Sequence, residues 1–478
     1  MRQALHIFKK DVRHLWIEIA VTLLVVAAFT FTGVRQALWL VAPAVNTSVA
    51  TMLLKFLLPL AWGILIASLV HAEALPGDRQ FWTTRPYAWK SLLAAKALFL
   101  AAFVNIPLLV AHISILLAYG FNPLAEIPGL LWSQVLITAV LVLPIAALSA
   151  LTTGFVQLLI TGSVLGLALV TWNIVAPLYG FDVGWRALEW VRSYYEIAVA
   201  ALAALAILVW QYARRKTAAA RWLAVAAAVL VALDVLMPWT AAFALQSRLS
   251  KRPIDPASLR VDFDSAKQWA ARALIERGDR VWVEIPIKIT GIPAGMSPRY
   301  DGVVMAIEAS DGSTWPPDRQ PWRHVTTRNQ VISLQTTVDG GFYRKVKDQQ
   351  VRFRGALYLT LYGNLRVTHV PFSAPPMAVP GRGLCTASPG AGRTSYYLVC
   401  NSAFLDPEGP PTYSPFPADL ALDPVNSHRT YIASLYYPFA PFTAATVGTT
   451  EPLAHIRRDF DFGGLRLSDF EVRSALPY

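Results

Sequence analysis

The residues best suited to chemistry lie in one polar segment, residues 73–96, which has apolar sequence on both sides. Charged side chains are costly in lipid, so the segment must lie in water or at the headgroups. Cations and aromatic side chains share it, and glycine and proline interrupt its backbone. This mixture is typical of a docking surface; the alternative is a loop held by an interfacial aromatic belt. The residues concerned are Glu73, Gly77, Arg79, Phe81, Trp82, Arg85, Pro86 and Lys96.

Polar residues inside apolar segments are the second candidates, because such groups are expensive in a membrane and often functional. Asn105 and His112 lie about two helical turns apart, with Pro107 between them. They could face a shared cavity on a polar pathway between helices, or they could form hydrogen bonds to a neighbouring helix. Asp234 lies in a long apolar run, so we expect it to pair within the helical bundle or to lie near its outer boundary.

The cysteines are Cys385 and Cys400 alone. Between them lie a turn rich in proline and glycine and a strand-like stretch, which could bring both ends of a hairpin into disulfide range. A disulfide would imply an oxidising compartment. The alternative is a pair of reduced thiols.

Motifs for catalysis are absent from the sequence. We find no phosphate-binding Gly-Lys-Ser/Thr loop, no His-Glu-x-x-His, no Gly-x-Ser-x-Gly and no zinc-type spacing of cysteine and histidine. We therefore expect no catalytic, cofactor-binding or metal site in this chain. We expect His324, His369, His428 and His455 to be solvated surface residues rather than metal ligands.

The composition points to a membrane protein. The chain has 478 residues and 55% hydrophobic content, and its mean hydropathy is +0.43. Nearly all long apolar runs precede about residue 245, which predicts a membrane half and a soluble half. The net charge is +12, but in the first half the basic residues gather in short loops between apolar runs. That pattern indicates membrane topology, so we expect no nucleic-acid partner.

The elements that must position these residues begin with a basic amphipathic helix in residues 1–16, expected to lie on the inner leaflet. Its apolar face is predicted to consist of Leu5, Phe8, Val12, Leu15 and Trp16. A transmembrane helix needs about 20 predominantly apolar residues, and seven segments are candidates. Residues 177–194 predict a further amphipathic helix at the outer interface. The seven segments are residues 16–33, 51–70, 92–119, 130–151, 155–176, 195–212 and 222–245.

Seven crossings fix which side each part lies on. Lysine and arginine are enriched in the leader, in residues 73–96 and in the 214–221 cluster, which places these parts in the cytoplasm. An odd number of crossings then carries the soluble half to the outside, where a disulfide can form. We expect a multi-pass protein of the bacterial inner (cell) membrane, with a cytoplasmic amino terminus and an extracytoplasmic carboxyl-terminal domain.

The soluble half predicts a β-sandwich-like fold. Residues 264–277 suggest a juxtamembrane helix, after which apolar residues alternate in residues 281–289 and 351–362. Alternation of this kind predicts half-buried strands. Weaker strand candidates are residues 303–308, 330–338, 365–372, 395–400, 430–437 and 465–472. The expected domains are residues 1–16 (amphipathic helix), 17–246 (transmembrane domain), 247–279 (juxtamembrane linker or helix) and 280–478 (extracytoplasmic, β-sandwich-like domain).

This layout resembles the membrane subunit of a type-2 ABC transporter, the ABC-2 permease family. The resemblance rests on the leader HIFKKDVRHLW, on the sequence EALPGDRQFWTTRPYAWKSLLAAK, on the nearly loopless link after span four and on the amphipathic segment before span six. It covers roughly residues 1–216. The family core usually ends after six spans, whereas here a seventh span and an outer domain follow.

The resemblance implies how the parts would work. In that family the leader forms an elbow helix, and the loop after span two forms a coupling helix seated in a groove of a separate ATPase. A Glu, a Gly, an Arg-Pro pair and a Lys opening span three are typical of that loop, and they match Glu73, Gly77, Arg85, Pro86 and Lys96. ATP would then be used by the partner subunit and not by this chain.

Two functions of different classes follow. The first is a permease subunit that forms a homodimer, or a heterodimer with a second permease, within the lipid bilayer. Its outer domain would then receive substrate or bind a periplasmic partner. The alternative is a membrane-anchored scaffold without transport activity, whose β domain binds proteins or glycans outside the membrane. A membrane-embedded enzyme ranks third, since no paired carboxylates or nucleophile set is found.

Overall fold

The structure is a computed structural model that describes most of the chain. Its described residues are 2–38, 49–73, 88–118, 120–124, 126–176, 188–252, 254–275, 280–316, 325–328, 331–372, 375–379, 383–389, 396–401 and 444–474. The chain divides into two compact units. One consists of Met1–Val183 and Arg192–Leu236, and the other of Gly184–Val191 and Met237–Tyr478.

The first unit is helical. Its core is made of leucine, isoleucine, alanine and phenylalanine side chains from several helices, because each helix buries one apolar face against its neighbours. The helices are α1 (Arg2–His14), α2 (Trp16–Leu38), α3 (Val49–His71), α4 (Trp89–Ala118), α5 (Ile127–Leu151), α6 (Phe155–Val175), α7 (Glu189–Arg214) and α8 (Thr217–Ala232).

Five of the described helices are long and apolar enough to cross a membrane: α2, α4, α5, α6 and α7. Two shorter apolar helices are Phe56–His71, which is part of α3, and α8. The prediction of a helical membrane domain followed by a β-rich region is therefore supported, while the seven crossings stay a prediction.

The predicted last span, residues 222–245, is not one helix. Helix α8 has 16 residues, so it is about 24 Å long, against about 30 Å for the hydrocarbon core. A short 3-10 turn, Leu233–Leu236, follows it. A separate helix, α9 (Trp239–Ser247), then begins directly after Pro238. The interruption has a physical cause, because proline donates no backbone hydrogen bond and disfavours helix at the residue before it.

Two predictions concern the links between helices: a nearly loopless link after span four and an amphipathic helix before span six. Helix α5 ends at Leu151 and α6 begins at Phe155, so the nearly loopless link is confirmed. For the predicted outer amphipathic helix, residues 177–187 lie outside the described part of the chain. Of the described remainder, Leu188 lies in a turn and the other residues belong to α7, which continues without a break past the predicted boundary at residue 195.

Two helices contain one widened, π-helical turn each. In α4 the turn is Ala101–Asn105, and in α5 it is Thr138–Val142. Each is followed two residues later by a proline, Pro107 or Pro144. A proline ring clashes with the carbonyl four residues earlier, and a widened turn is one way in which a helix accommodates it.

The second unit is mainly β. One sheet has the order β13-β2-β3-β7-β6 with β1 also paired to β3, a second has the order β12-β8-β4-β5, and a small third sheet has the order β11-β10-β9. The strands are β1 (Arg260–Phe263), β2 (Arg272–Ile275), β3 (Arg280–Thr290), β4 (Ser297–Ala309), β5 (Thr314–Trp315), β6 (Val325–Arg328), β7 (Val331–Asp339), β8 (Gln350–Pro371), β9 (Met377–Val379), β10 (Gly383–Pro389), β11 (Tyr396–Asn401), β12 (Ala444–Arg466) and β13 (Glu471–Ser474). A short helix, α10 (Gly340–Val346), joins β7 to β8.

The two larger sheets share one apolar core, which is the packing of a sandwich. Alternate side chains of β3, including Val283 and Ile285, are fully buried in it, as are Phe353 and Leu357 of β8. The opposite face of β8 is also buried, because Trp239 and Phe243 of α9 pack against Tyr358. The period of two read from the sequence therefore identified the core-facing residues of both strands.

Other strand predictions have mixed outcomes. The candidates at residues 303–308, 330–338, 365–372 and 395–400 are confirmed over their described residues, which exclude 330 and 395. Residues 430–437 lie outside the described part. Residues 465–472 are not one strand but the end of β12, a 3-10 turn and the start of β13. The helix predicted at residues 264–277 is wrong. A 3-10 helix, Ser265–Ala270, leads there into β2, because pairing with β3 outweighs local helix propensity.

The hairpin predicted around the cysteines is present. Strands β10 and β11 are antiparallel, and Cys385 lies directly opposite Cys400 in their register. Cys385 is fully buried. The backbone therefore places both cysteines as a disulfide requires, while the bridge itself stays a prediction.

Candidate functional site

A buried group of charges joins three helix ends in the first unit. The ammonium of Lys96, in α4, lies 2.8 Å from Asp11 Oδ2 of α1. The same nitrogen lies 3.2 Å from Oε1 of Glu73, which follows the end of α3. We refer to Asp11, Glu73 and Lys96 as the Lys96 cluster.

The Lys96 cluster is almost fully shielded from solvent. The exposed fractions of Asp11, Glu73 and Lys96 are 2%, 1% and 3%. A buried charge is costly unless it is paired and hydrogen-bonded. Here one ammonium serves two carboxylates, and the half-exposed Lys10 adds a second ammonium 3.7 Å from Glu73 Oε1. The cluster is therefore held together by mutual compensation, and none of its three members can lose its charge alone without cost.

A nearby cation adds to this balance. Arg215 lies in the turn between α7 and α8 and has a positive φ of 53°. Burial lowers the pKa of its guanidinium, while the negative charge of Glu73 acts in the opposite direction and raises it. The field of Glu73 therefore reaches the α7–α8 turn as well as α1 and α4.

Aromatic packing fixes α1 against α4 next to the cluster. Phe8 stacks on Phe103 at a ring-centroid distance of 6.1 Å and meets Phe99 edge-on at 6.2 Å. Because residues three and four apart share a helix face, Phe8 lies beside Asp11 on α1 and Phe99 lies beside Lys96 on α4. The apolar contact therefore sets the distance at which the charges meet.

The buried face of α1 differs from the predicted one. Ile7 and Asp11 are its most buried residues, and Leu15, directly after it, is 3% exposed as expected. Leu5 is 48% exposed, and Trp16, the first residue of α2, is 64% exposed. The prediction placed Leu5 and Trp16 on the apolar face and gave Asp11 no role. An aspartate can occupy the centre of a buried face here because Lys96 compensates its charge.

A second set of polar contacts closes the end of α5 at the same end of the bundle. Gln211 Nε2 donates to the carbonyl of Ala150 at 2.9 Å, and Arg221 Nη2 donates to that of Leu151 at 3.2 Å. The last carbonyls of a helix have no partner within it, so these side chains supply one. His71 Nε2 lies 3.1 Å from Thr152 Oγ1 and joins the end of α3 to the same link.

The predicted loop residues meet different outcomes. Glu73 and Lys96, which begin and end the predicted segment, are brought together in the Lys96 cluster. Gly77, Arg79, Phe81, Trp82, Arg85 and Pro86 lie outside the described residues. Asp11 was missed, although the sequence carries a signal for it. It is the one acidic residue of the leader and lies one turn from Ile7 on the same helix face.

Comparisons with known proteins add no family. No family model, curated protein or solved structure matches this chain. The interpretation of the site therefore depends on its geometry and on the sequence.

Asn105 and His112 both contact α5. Asn105 Nδ2 donates to Thr138 Oγ1 at 2.9 Å and to Gln134 Oε1 at 3.3 Å. His112 Nδ1 lies 3.4 Å from Ser133 Oγ. These contacts agree with the interpretation that both residues bond to a neighbouring helix. A role in a pathway stays a prediction. Asn105 and Thr138 each lie at the boundary of a π-helical turn, so one hydrogen bond joins the two irregular turns.

Asp234 forms an ion pair within its own unit, in agreement with one of the two expectations for it. Arg192 Nη2 donates to Asp234 Oδ1 at 3.0 Å, and Arg192 Nε donates to Glu196 Oε1 at 3.0 Å. Two carboxylates therefore share one guanidinium where α7 begins and α8 ends. Arg215 lies in the turn that joins the end of α7 to the start of α8. The Arg192 group is therefore at the other end of both helices.

The second unit contains a polar network on the outer face of its second sheet. His455 Nδ1 lies 2.9 Å from Thr360 Oγ1 and 2.9 Å from Gln246 Nε2 of α9. Thr360 also donates to Asp301, whose carboxylate is paired with Arg299. The expectation that His455 is a solvated surface residue is therefore wrong. Helix α9 packs on this face of the sheet and half-buries the imidazole.

Proposed function

We propose that this chain is the membrane subunit of a transporter similar to the ABC-2 permeases, driven by a separate ATPase that contacts residues 73–96. The single observation that carries the proposal is the Lys96 cluster. It joins both ends of the predicted coupling segment to each other and to α1. A loop that only connected two spans would not need a buried ammonium at its base.

The cluster supports this function mechanically. Glu73 and Lys96 are paired, so the stretch between them, which ends in the first two turns of α4, is closed by an ion pair. Asp11 adds α1 to the same base. A force applied to the loop would therefore displace the end of α3, the start of α4 and α1 together, since packed interfaces move as bodies rather than deform.

The proposal also assigns roles outside the cluster. Seven crossings would place the amino terminus and the loop in the cytoplasm and the second unit outside. Two copies, or this chain and a second permease, would form the pathway, to which Asn105 and His112 could contribute. ATP would be bound and hydrolysed by the partner, because the chain has no phosphate-binding loop of its own.

The test is purification of the tagged chain from its own host membranes in a mild detergent. We expect an ABC ATPase to co-purify and the preparation to hydrolyse ATP. The triple variant Arg79→Glu, Trp82→Ala and Arg85→Glu should lose both. The matched control changes two exposed arginines and an exposed tryptophan elsewhere, with Arg248→Glu, Arg466→Glu and Trp222→Ala. It should keep the ATPase. Equal ATPase content in both variants would count decisively against the coupling role.

A second candidate, a scaffold without transport activity, is favoured by one observation. The second unit has an apolar core of its own, built from its two larger sheets. A scaffold predicts that no ATPase co-purifies and that the triple variant behaves as the wild type. The same experiment therefore separates the two functions.

A further inference from the structure

Helix α9 is largely apolar on both of its sides. Its inner side, with Trp239 and Phe243, packs on the second sheet and is buried. Its outer side contains Ala241, Ala244 and Leu245, all of which are exposed, and Leu245 is 50% exposed. A helix that is apolar all round is normally covered on every side. The outer side of α9 therefore indicates a contact beyond the chain itself.

The packing of α9 sets its depth relative to a membrane. Trp239 and Phe243 form one apolar group with Leu188 and Val191. Val191 begins the apolar segment Val191–Arg214, one of the five described segments that are long and apolar enough to cross a membrane. Its 24 residues span about 36 Å as a helix, against about 30 Å for the hydrocarbon core. In a membrane the first turn of α7 therefore lies near the headgroups, and α9, which packs against it, lies at the same level.

The turn that follows α9 is basic. Arg248, Lys251 and Arg252 are all exposed, and Leu249 between them is 63% exposed. No acidic residue occurs in the sequence from Trp239 to Ile254, so this stretch has a clear excess of positive charge. Exposed leucines beside cations are typical of a segment on a membrane surface, where apolar side chains enter the acyl boundary and cations meet anionic headgroups.

We infer that the outer side of α9 and the basic turn after it rest on the bilayer surface and bind anionic lipid headgroups. Leu245 and Leu249 would enter the boundary between headgroups and acyl chains, while the cations would contact lipid phosphates. The bilayer is the partner that fits, because the start of α7 places this surface beside it and the charges are complementary. The inference is independent of the proposed transport function and of the number of crossings, since it needs only α7 to cross.

The test places a fluorescent label at two positions of the full chain, reconstituted in nanodiscs of phosphatidylcholine and phosphatidylglycerol in equal parts. Leu245→Cys carries bimane on the outer side of α9. Lys345→Cys, exposed on the other short helix of this unit, α10, is the matched control. Wild-type protein treated in the same way gives the blank for the native cysteines. Two quenchers are compared: a lipid with a nitroxide near the top of its acyl chain, and iodide in the water.

We expect the nitroxide lipid to remove most of the fluorescence at position 245 and iodide to leave it, because this surface lies in the boundary of the bilayer. At position 345 we expect the reverse. A melting temperature equal to that of the wild type shows that each variant is folded.

A second comparison identifies the headgroup. At position 245, nitroxide-labelled phosphatidylglycerol should quench more than nitroxide-labelled phosphatidylcholine does. Removing the three cations with Arg248→Gln, Lys251→Gln and Arg252→Gln should abolish this difference. The matched control removes three exposed cations elsewhere in the second unit and should keep it, with Lys288→Gln, Lys347→Gln and Arg466→Gln.

Three results would contradict the inference. Quenching of position 245 by iodide to the same extent as position 345 would show that this side of α9 lies in water. Resistance to both quenchers would show that a protein surface, such as a second copy of the chain, covers it. Equal quenching by the two labelled lipids in the otherwise unchanged chain would reject an anionic headgroup as the ligand.

Discussion

Lys96 compensates two buried carboxylates at once, so its removal has a predictable cost. In Lys96→Met, Asp11 and Glu73 would remain buried without their shared cation. Breaking a buried ion pair by removing one partner typically costs about 3–5 kcal/mol. We expect a loss of this size in the free energy of unfolding of the helical unit. Thermal unfolding of the purified protein in detergent measures it.

The control is a variant that restores the charge balance of the Lys96 cluster without restoring the lysine. Lys96→Met combined with Asp11→Asn and Glu73→Gln removes all three charges, so most of the lost stability should return. Lys96→Arg should be tolerated better than Lys96→Met because it keeps the charge. A stability of Lys96→Met equal to that of the wild type would show that the cluster is not held by its charges.

His455 makes the second unit sensitive to acid. Burial, and then the charge of Arg299, lowers the pKa of His455 to about 4. In the unfolded chain the value is about 6.5. Between these two values the unfolded chain binds a proton that the folded chain does not. Stability should therefore fall as the pH falls from about 6.5 to about 4.

The measurement must separate His455 from Asp301, because the two residues change the stability of the folded state in opposite directions as the pH falls. Burial raises the pKa of Asp301, while Arg299 and Thr360 lower it in part, so this carboxyl makes the folded state more favourable as the pH falls. The difference in melting temperature between wild type and His455→Gln isolates the histidine and should shrink with acidification. His6→Gln, an exposed histidine of α1, is the control. A difference that is independent of pH would contradict the assignment.

Residue types were easier to predict than their partners. The sequence singled out Glu73, Lys96 and Asp234 as charges next to or inside apolar runs, and all three are paired. The partners were less visible, since Asp11 is 85 residues from Lys96 and only tertiary packing brings them together. The partial burial of His455 was missed for a similar reason, because α9 packs against it and lies about 209 residues away in sequence.

At the scale of elements, the β10–β11 hairpin allows a direct test. Residues directly opposite in an antiparallel pair have Cα atoms about 4.5–5.5 Å apart, within the range of a disulfide. If the second unit lies outside the membrane, Cys385 and Cys400 should be oxidised. Denatured protein from intact cells should then take up no maleimide-polyethylene glycol before reduction and two after it. The double cysteine-to-alanine variant should take up none in either case.

The contrary result is equally clear. Two labels without reduction would show free thiols, and the cysteines would then no longer support an extracytoplasmic position. The hairpin itself would stand, because its register depends on backbone pairing and not on the bridge.

Elements with one strong period were predictable, and those fixed by distant contacts were not. The long apolar helices, β3 and the core face of β8 follow from local pattern alone. Strand β12 was missed except for its end, because its sequence contains Gly448, Pro452 and a run of charges. It forms a strand because β8 pairs with it along most of its length. The interruption near Pro238 could have been read from the proline itself.

For the molecule as a whole, the proposed sidedness depends on an odd number of crossings. Five of the described helices meet the length requirement, and α3 and α8 must both cross for the count to be seven. We expect alkaline phosphatase fused after Tyr478 to be active and a green fluorescent protein at the same position to be dark. The reverse result would place the second unit in the cytoplasm and contradict the proposed topology.

The second unit is assembled from two separate stretches of chain. Leu188, directly before α7, and Val191, in the first turn of α7, pack with Trp239, Phe243 and Tyr358. During synthesis these two residues emerge roughly 170 positions ahead of Tyr358, the last member of this group to be made. The apolar surface around Tyr358 can therefore be covered only after α7 and α8 have been made and the chain has returned. A fragment that begins at residue 247 would expose that surface, so a secreted version of this unit needs α9 and a replacement for the stretch around Leu188.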